Sequence, residues 1–323
     1  MTILHQYLAL TMAAAITGGA AASPKAAHPN APSVHAFPTH GPDWKPTGKS
    51  VSVTAIPVGA QVRALGIGEG AVWVLEGRHV LSIDPSTARV TASFLDVPGL
   101  GLAVGHGSLW TTLWKGASPV FQRVDPHTRQ ILANIPGFGG AVAFGEDSVW
   151  VADMHDDYVA RFDPTTSQRI ASIEVGGRSS AIVVGAGAVW VLRASDNVVT
   201  RIDPANNQLV RAIRLGPGPW GSFGLAAGED AVWAGHGYAV VRIDPKTNRV
   251  VRTIPLGVSP RSIAVAGAWV WAGGDDGSVS RIDPQRNKLI DQFSLTAGPL
   301  LEAAAGPDAL WLVGGSEVYR IDL

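Results

Sequence analysis

Residues 152–158 read ADMHDDY, which places the carboxylates of Asp153, Asp156 and Asp157 and the imidazole of His155 within one short segment. Oxygen-rich donors with a single imidazole suit one hard divalent cation, Mg²⁺, Ca²⁺ or Mn²⁺, better than a closed zinc site. The competing reading is a polar hairpin kept soluble by its charges. No nucleophile elbow, phosphate loop or His-Glu-x-x-His motif occurs in the chain. Cysteine is absent, which excludes disulfides, thiolate metal sites and cysteine nucleophiles. A formal net charge of −1 leaves no basic footprint for nucleic acid.

What must position these groups is a repeat. Tryptophans recur at Trp73, Trp110, Trp150, Trp190, Trp233, Trp271 and Trp311, about 40 residues apart, in the range of propeller blades. The aspartate of an I-D-P-like motif keeps the same beat at Asp84, Asp125, Asp163, Asp203, Asp244, Asp283 and Asp322. Within the fourth unit, G-x-G, polar hairpin and D-P-x-x-N turns separate four apolar runs, here called strands A to D. They cover Ala181–Val184, Ala188–Leu192, Val198–Ile202 and Leu209–Leu215. The expected fold is therefore all-β: a seven-bladed propeller of four-stranded antiparallel blades, with an Ala/Gly-rich strand A innermost. The last unit, ending in YRIDL, has no strand D, whereas VSVTAIPVG at 51–59 resembles an orphan one, as in VVRTIPLG at 250–257. Pairing of these two segments would close the ring and remove an open edge.

The repeat spans 50–323. Ahead of it, 8–22 is uncharged and rich in small residues, with Ala20, Ala21 and Ala22 before Ser23, although MTILHQY lacks Lys and Arg. Residues 1–22 are read as a cleaved secretory leader and 23–49, rich in Pro, Ala and His, as a linker. The expected location is periplasmic or secreted, with no transmembrane span in the mature chain and a monomeric state.

Residues shared by every blade are architecture, so function is sought where one blade departs from the rest. The repeat tryptophans are expected to fill the space between blades, and the Asp-Pro pairs to make turns. His106 and His127 fall in turns and are expected to be idle. The position three residues after each tryptophan, at the end of strand B, varies instead: Glu76, Leu113, Asp153, Arg193, His236, Gly274 and Gly314. The D–A and B–C loops on that face also carry Trp114, Lys115, Arg178, Trp220 and Arg261. Aromatics there would stack on a ligand or anchor a partner, and the cations would meet an anionic group. A small molecule, glycan, peptide or protein would each fit this description, but not a nucleic acid.

The motifs V-W-V, R-I-D-P-x-T-N and T-I-P-L-G-x-x-P resemble those of bacterial seven-bladed propellers of the YVTN-repeat and streptogramin-lyase-like superfamily. That resemblance covers 51–323 and implies architecture more than activity. Its lyase branch pairs a His in a P-H-G loop with a Glu in W-F-T-E to hold a divalent metal. W-V-L-E supplies Glu76 at the matching place, but GAQVRALG has no His, and Arg261 stands in the His position of Pro260-Arg261-Ser262. A metal-dependent lyase or hydrolase would need a different set, Glu76, Asp153 and His155 as ligands with His236 or His155 as general base. The favoured reading is a binding module, with the enzyme as the alternative.

Overall fold

The computed structural model describes residues 51–323 except Ala60, 95–98, Ala117, His155, 218–222 and Glu229. The expected leader and linker, and the candidate residues His155 and Trp220, lie outside the described residues. The described chain contains no helix and forms seven antiparallel four-stranded sheets. Each sheet is a blade with strands in the order A-B-C-D. Blade 4 runs Ala181–Gly185, Ala188–Arg193, Val198–Asp203 and Gln208–Arg214, within a residue or so of the sequence reading. The innermost strands are Val62–Gly68, Gly99–Gly105, Gly140–Gly145, Ala181–Gly185, Leu225–Ala227, Pro260–Ala266 and Leu300–Ala305. Each packs against the next and the last packs against the first, so the seven close into a ring around an axis.

Closure occurs as the orphan strand predicts. Val53–Pro57 pairs antiparallel with Glu317–Asp322, in the register Val53↔Ile321 to Pro57↔Glu317, and so supplies the outer strand of blade 7. Both edges of Glu317–Asp322 are thereby paired, which leaves no open template at the seam.

The core is divided among the blade boundaries. Seven apolar clusters lie between successive blades, and each contains one repeat tryptophan. Trp150, for example, packs with Ile182, Val189 and Val191 of blade 4. Its indole N–H donates to the Gly145 carbonyl oxygen at 3.1 Å, and Trp73 and Trp190 do the same to Gly68 and Gly185. The ring thus fills the boundary while its single polar atom is satisfied.

The R-I-D-P motif has two jobs. Its aspartate folds the C–D turn: Asp163 Oδ1 accepts the N–H groups of Thr165 and Thr166, both at 2.8 Å, and Asp125 and Asp283 repeat the pattern. These N–H groups hold the Asp163, Asp125 and Asp283 carboxyls below the usual range. The Asn that ends the turn takes positive φ, 59° at Asn207 and 56° at Asn248, a conformation Asn tolerates better than most residues. The arginine reaches the next blade. Arg161 lies 4.8 Å over the Trp150 ring and donates from Nη1 to Pro204 O and Asn207 Oδ1. Arg201 and Arg242 make the same contacts one and two blades further on. Arg281 instead pairs with Asp291 of its own outer strand, and Arg320 with Asp322.

Candidate functional site

Antiparallel pairing sets the start of strand A beside the end of strand B, so the D–A and B–C connections share one face, the loop face. The variable position after each tryptophan sits at that edge and is buried in all seven blades. The side chains there do not share one set of contacts. Each of three polar ones holds the D–A loop of its own blade. Asp153 accepts the Gly139 N–H at 3.3 Å and also the Asp156 N–H at 3.1 Å. Arg193 donates from Nη1 to the Val175 carbonyl and from Nη2 to Asp196 Oδ2 at 2.7 Å. His236 Nε2 lies 3.1 Å from the Pro217 carbonyl oxygen.

Residue type at this position therefore follows what the loop presents, an N–H to a carboxylate or a carbonyl to a donor. This corrects the expectation that a structural position should not vary. His236 must donate through Nε2, because a carbonyl only accepts, and its Nδ1 is buried without a partner. In this arrangement it exposes no lone pair to a substrate.

Glu76 is the exception. It is 7% exposed, with Oε1 3.7 Å from His79 Nδ1 and Oε2 buried without a partner. Burial pushes its carboxyl up, against the opposing pull of His79. With His236 Nδ1, this buried oxygen is an atom at this edge with unspent capacity for a proton or a cation. Among the described residues, no group of three or more His, Asp or Glu side chains is arranged to hold a metal ion. The segment 152–158 cannot be assembled as a set, because His155 lies outside the described residues.

Above this edge the loops are exposed. Lys115 and Arg178 are exposed, Trp114 is half-buried, and Arg261 is half-buried with its guanidinium 5.3 Å over the Phe223 ring. The sequence reading missed two residues here. Tyr238, in the B–C turn of blade 5, is 62% exposed, and Met154, next to Asp153, is 38% exposed. Apart from the outer strands and Leu323, they are the only exposed large hydrophobics among the described residues. Subtracting the repeat at the B–C turn, where the residue before strand C in the other blades is Arg78, Ala117, Asp157, Asn197, Gly277 or Ser316 and never aromatic, would have revealed Tyr238. On the opposite face His106 is exposed but not idle, since Nε2 lies 3.1 Å from Thr165 Oγ1 of the next blade. His127 donates its backbone N–H to Asp125 at 2.8 Å.

Fold and faces together define a seven-bladed β-propeller. Its backbone is similar to a chain in the crystal structure of the mitotic checkpoint complex, with a TM-score of 0.74 over 95% of this chain and 98% of that one. Sequence identity is 11%, so the likeness is one of fold alone. No family model and no curated protein sequence matches the chain.

Proposed function

We propose that this chain is an exported, non-catalytic binding protein of the YVTN and streptogramin-lyase-like kind. In this reading it is a monomer, periplasmic or secreted, that holds a ligand or partner on its loop face. The observation that carries the reading is the company of apolar and cationic side chains on the loop face. Tyr238, Met154 and Trp114 share the loop face with Lys115 and Arg178, and exposed aromatics beside cations are the usual anchors of an interface. Propellers commonly serve as interaction scaffolds, which agrees with this use.

The test is capture by immobilised protein from the exported small molecules, peptides and proteins of the source organism, wild type beside Tyr238→Ser/Trp114→Ala. The expected result is a ligand or partner retained by the wild type and lost at least about tenfold in the variant, as for removal of a hot spot. Equal retention by both, or by neither, contradicts the reading.

A second reading rests on Glu76 alone. Its unpaired, buried Oε2 and raised carboxyl suit a general base or a metal ligand in a lyase or hydrolase. Asp153, in contrast, already spends its carboxylate on backbone N–H groups.

A further inference from the structure

In strand C of blades 2 to 7 an arginine pairs with the repeat tryptophan on one side and with a strand D residue on the other. The strand D residue is small in blades 2, 3 and 7: Ala133 opposite Arg123, Ala171 opposite Arg161 and Thr54 opposite Arg320. In blade 6 it is Asp291, whose carboxylate accepts from Nε of Arg281 at 3.0 Å and also from Nη2. Blades 4 and 5 reverse the charge. Arg211 stands directly opposite Arg201, and Arg252 directly opposite Arg242. Like charges placed directly across two strands are destabilising, and here the pairing occurs in two successive blades.

One edge of each strand C guanidinium in these two blades is unspent. Arg201 and Arg242 donate from Nη1 alone, each to a carbonyl and an asparagine of the next blade. The Nε–Nη2 edge, which Arg281 turns to Asp291, has no acceptor among the described residues in either, and Nε of Arg201 is buried. The carboxylates of the adjoining turns are committed, since Asp203, Asp244 and Asp283 each accept from groups of their own turn. The outer strands, Gln208–Arg214 and Arg249–Pro255, contain no acidic residue and approach each other on the outer wall. They carry Arg211, Arg214, Arg249 and Arg252, all exposed, and none pairs with an acidic side chain among the described residues. Exposed Leu209, Val210 and Val251 lie among them.

We propose that the outer wall of blades 4 and 5 binds an acidic segment of a partner polypeptide, one carboxylate to each arginine pair. Blade 6 gives the geometry within this chain: a carboxylate seated against Nε and Nη2, as Asp291 is on Arg281. In blades 4 and 5 Arg211 or Arg252 replaces the aspartate beside the same seat, so a carboxylate there comes from outside the chain. Two guanidinium groups around one carboxylate turn a like-charge pair into a charge-assisted cluster. Leu209, Val210 and Val251 favour a peptide over a free phosphate, because they offer apolar contact beside the charges. This surface is separate from the loop face, and the proposal does not depend on that reading.

The probe is fluorescein-labelled poly-L-glutamate, titrated with the whole chain at low salt and read by fluorescence anisotropy. Wild type is expected to bind it saturably, and Arg211→Ala/Arg252→Ala to bind about tenfold more weakly, the scale of losing charged contacts. Arg89→Ala/Arg178→Ala removes the same charge from exposed places elsewhere and should bind like the wild type. Arg211→Asp/Arg252→Asp rebuilds the blade 6 arrangement in both blades, so it should lose binding and raise Tm with no ligand present. No saturable binding, weakening as great in Arg89→Ala/Arg178→Ala, or a Tm of Arg211→Asp/Arg252→Asp no higher than that of the wild type overturns the proposal. Displacement of the probe by inorganic phosphate at the same molar concentration as glutamate residues overturns it in favour of a free-anion site.

Discussion

Arg201 and Asn248 are joined across a blade boundary: Nη1 of the first donates to Oδ1 of the second at 2.8 Å, while the guanidinium lies 5.3 Å over Trp190 of its own blade. One arginine thus covers the tryptophan that fills the boundary and holds the turn on the far side. Arg161 with Asn207 and Arg242 with Asn287 repeat the clasp, so blades 3 to 6 are linked in series. Arg201→Leu and Asn248→Ala are each expected to cost about 1–2 kcal/mol, from a lost charged hydrogen bond and, for Asn248, a strained positive φ. The double variant should lose less than the sum of the two, because both remove one interaction. Urea unfolding of the four proteins measures this.

The seam is held by Val53–Pro57 on Glu317–Asp322. Deleting residues 51–58 strips blade 7 of its outer strand and opens an unpaired edge. The expected outcome is a lower Tm for the whole ring and a tendency to associate, seen by calorimetry and size-exclusion chromatography. A truncated chain that melts like the wild type contradicts the closure.

Acid should act first on the C–D turns. The Ser86 hydroxyl and then turn N–H groups hold the Asp84 carboxyl below its unfolded value, and turn N–H groups do the same for Asp125, Asp163, Asp244 and Asp283. A depressed carboxyl gives stability that is fully present above about pH 4 and is lost as pH falls through the folded value. Asp163→Asn/Asp244→Asn keeps an acceptor oxygen without the titration. Its stability should therefore fall less steeply than that of the wild type below about pH 4.

Glu302 works with the opposite sign. Its folded carboxyl titrates at about 7, above the ordinary 4.5, so the native state holds a proton that the unfolded chain has released. Wild-type stability should fall between about pH 4.5 and 7 and level off above. Glu302→Gln should flatten this limb and be the more stable protein at about pH 8, by no more than about 3 kcal/mol. Thermal melts across that range decide it, and a variant less stable at alkaline pH contradicts an unpaired carboxylate.

Much of the architecture is legible in residue order because several local signals agree. Trp190, the Asp203-Pro204 turn and the G-x-G before Ala188 each mark the same beat, and the four strands of blade 4 follow from them. The loop-face edge is legible only in part. Asp153, Arg193 and His236 stand out by type, but their partners Gly139, Val175 and Pro217 lie in irregular D–A loops whose backbone course no periodicity predicts. Glu302 escapes notice for a different reason. In EAAAG it looks like the edge of one more small-residue strand, and only the register against Trp311 shows that it occupies a place other blades keep small. Tyr238 is hidden in the same way, inside a two-residue turn.

The measurement that tests the account most directly is metal content by mass spectrometry, on protein purified without a His tag or chelator, beside Asp153→Ala/His236→Ala. A binding propeller whose Asp153, Arg193 and His236 hold the D–A loops should retain no stoichiometric divalent ion in either sample. One ion per chain, lost in the variant, would contradict it and place a metal-dependent lyase or hydrolase at the loop face.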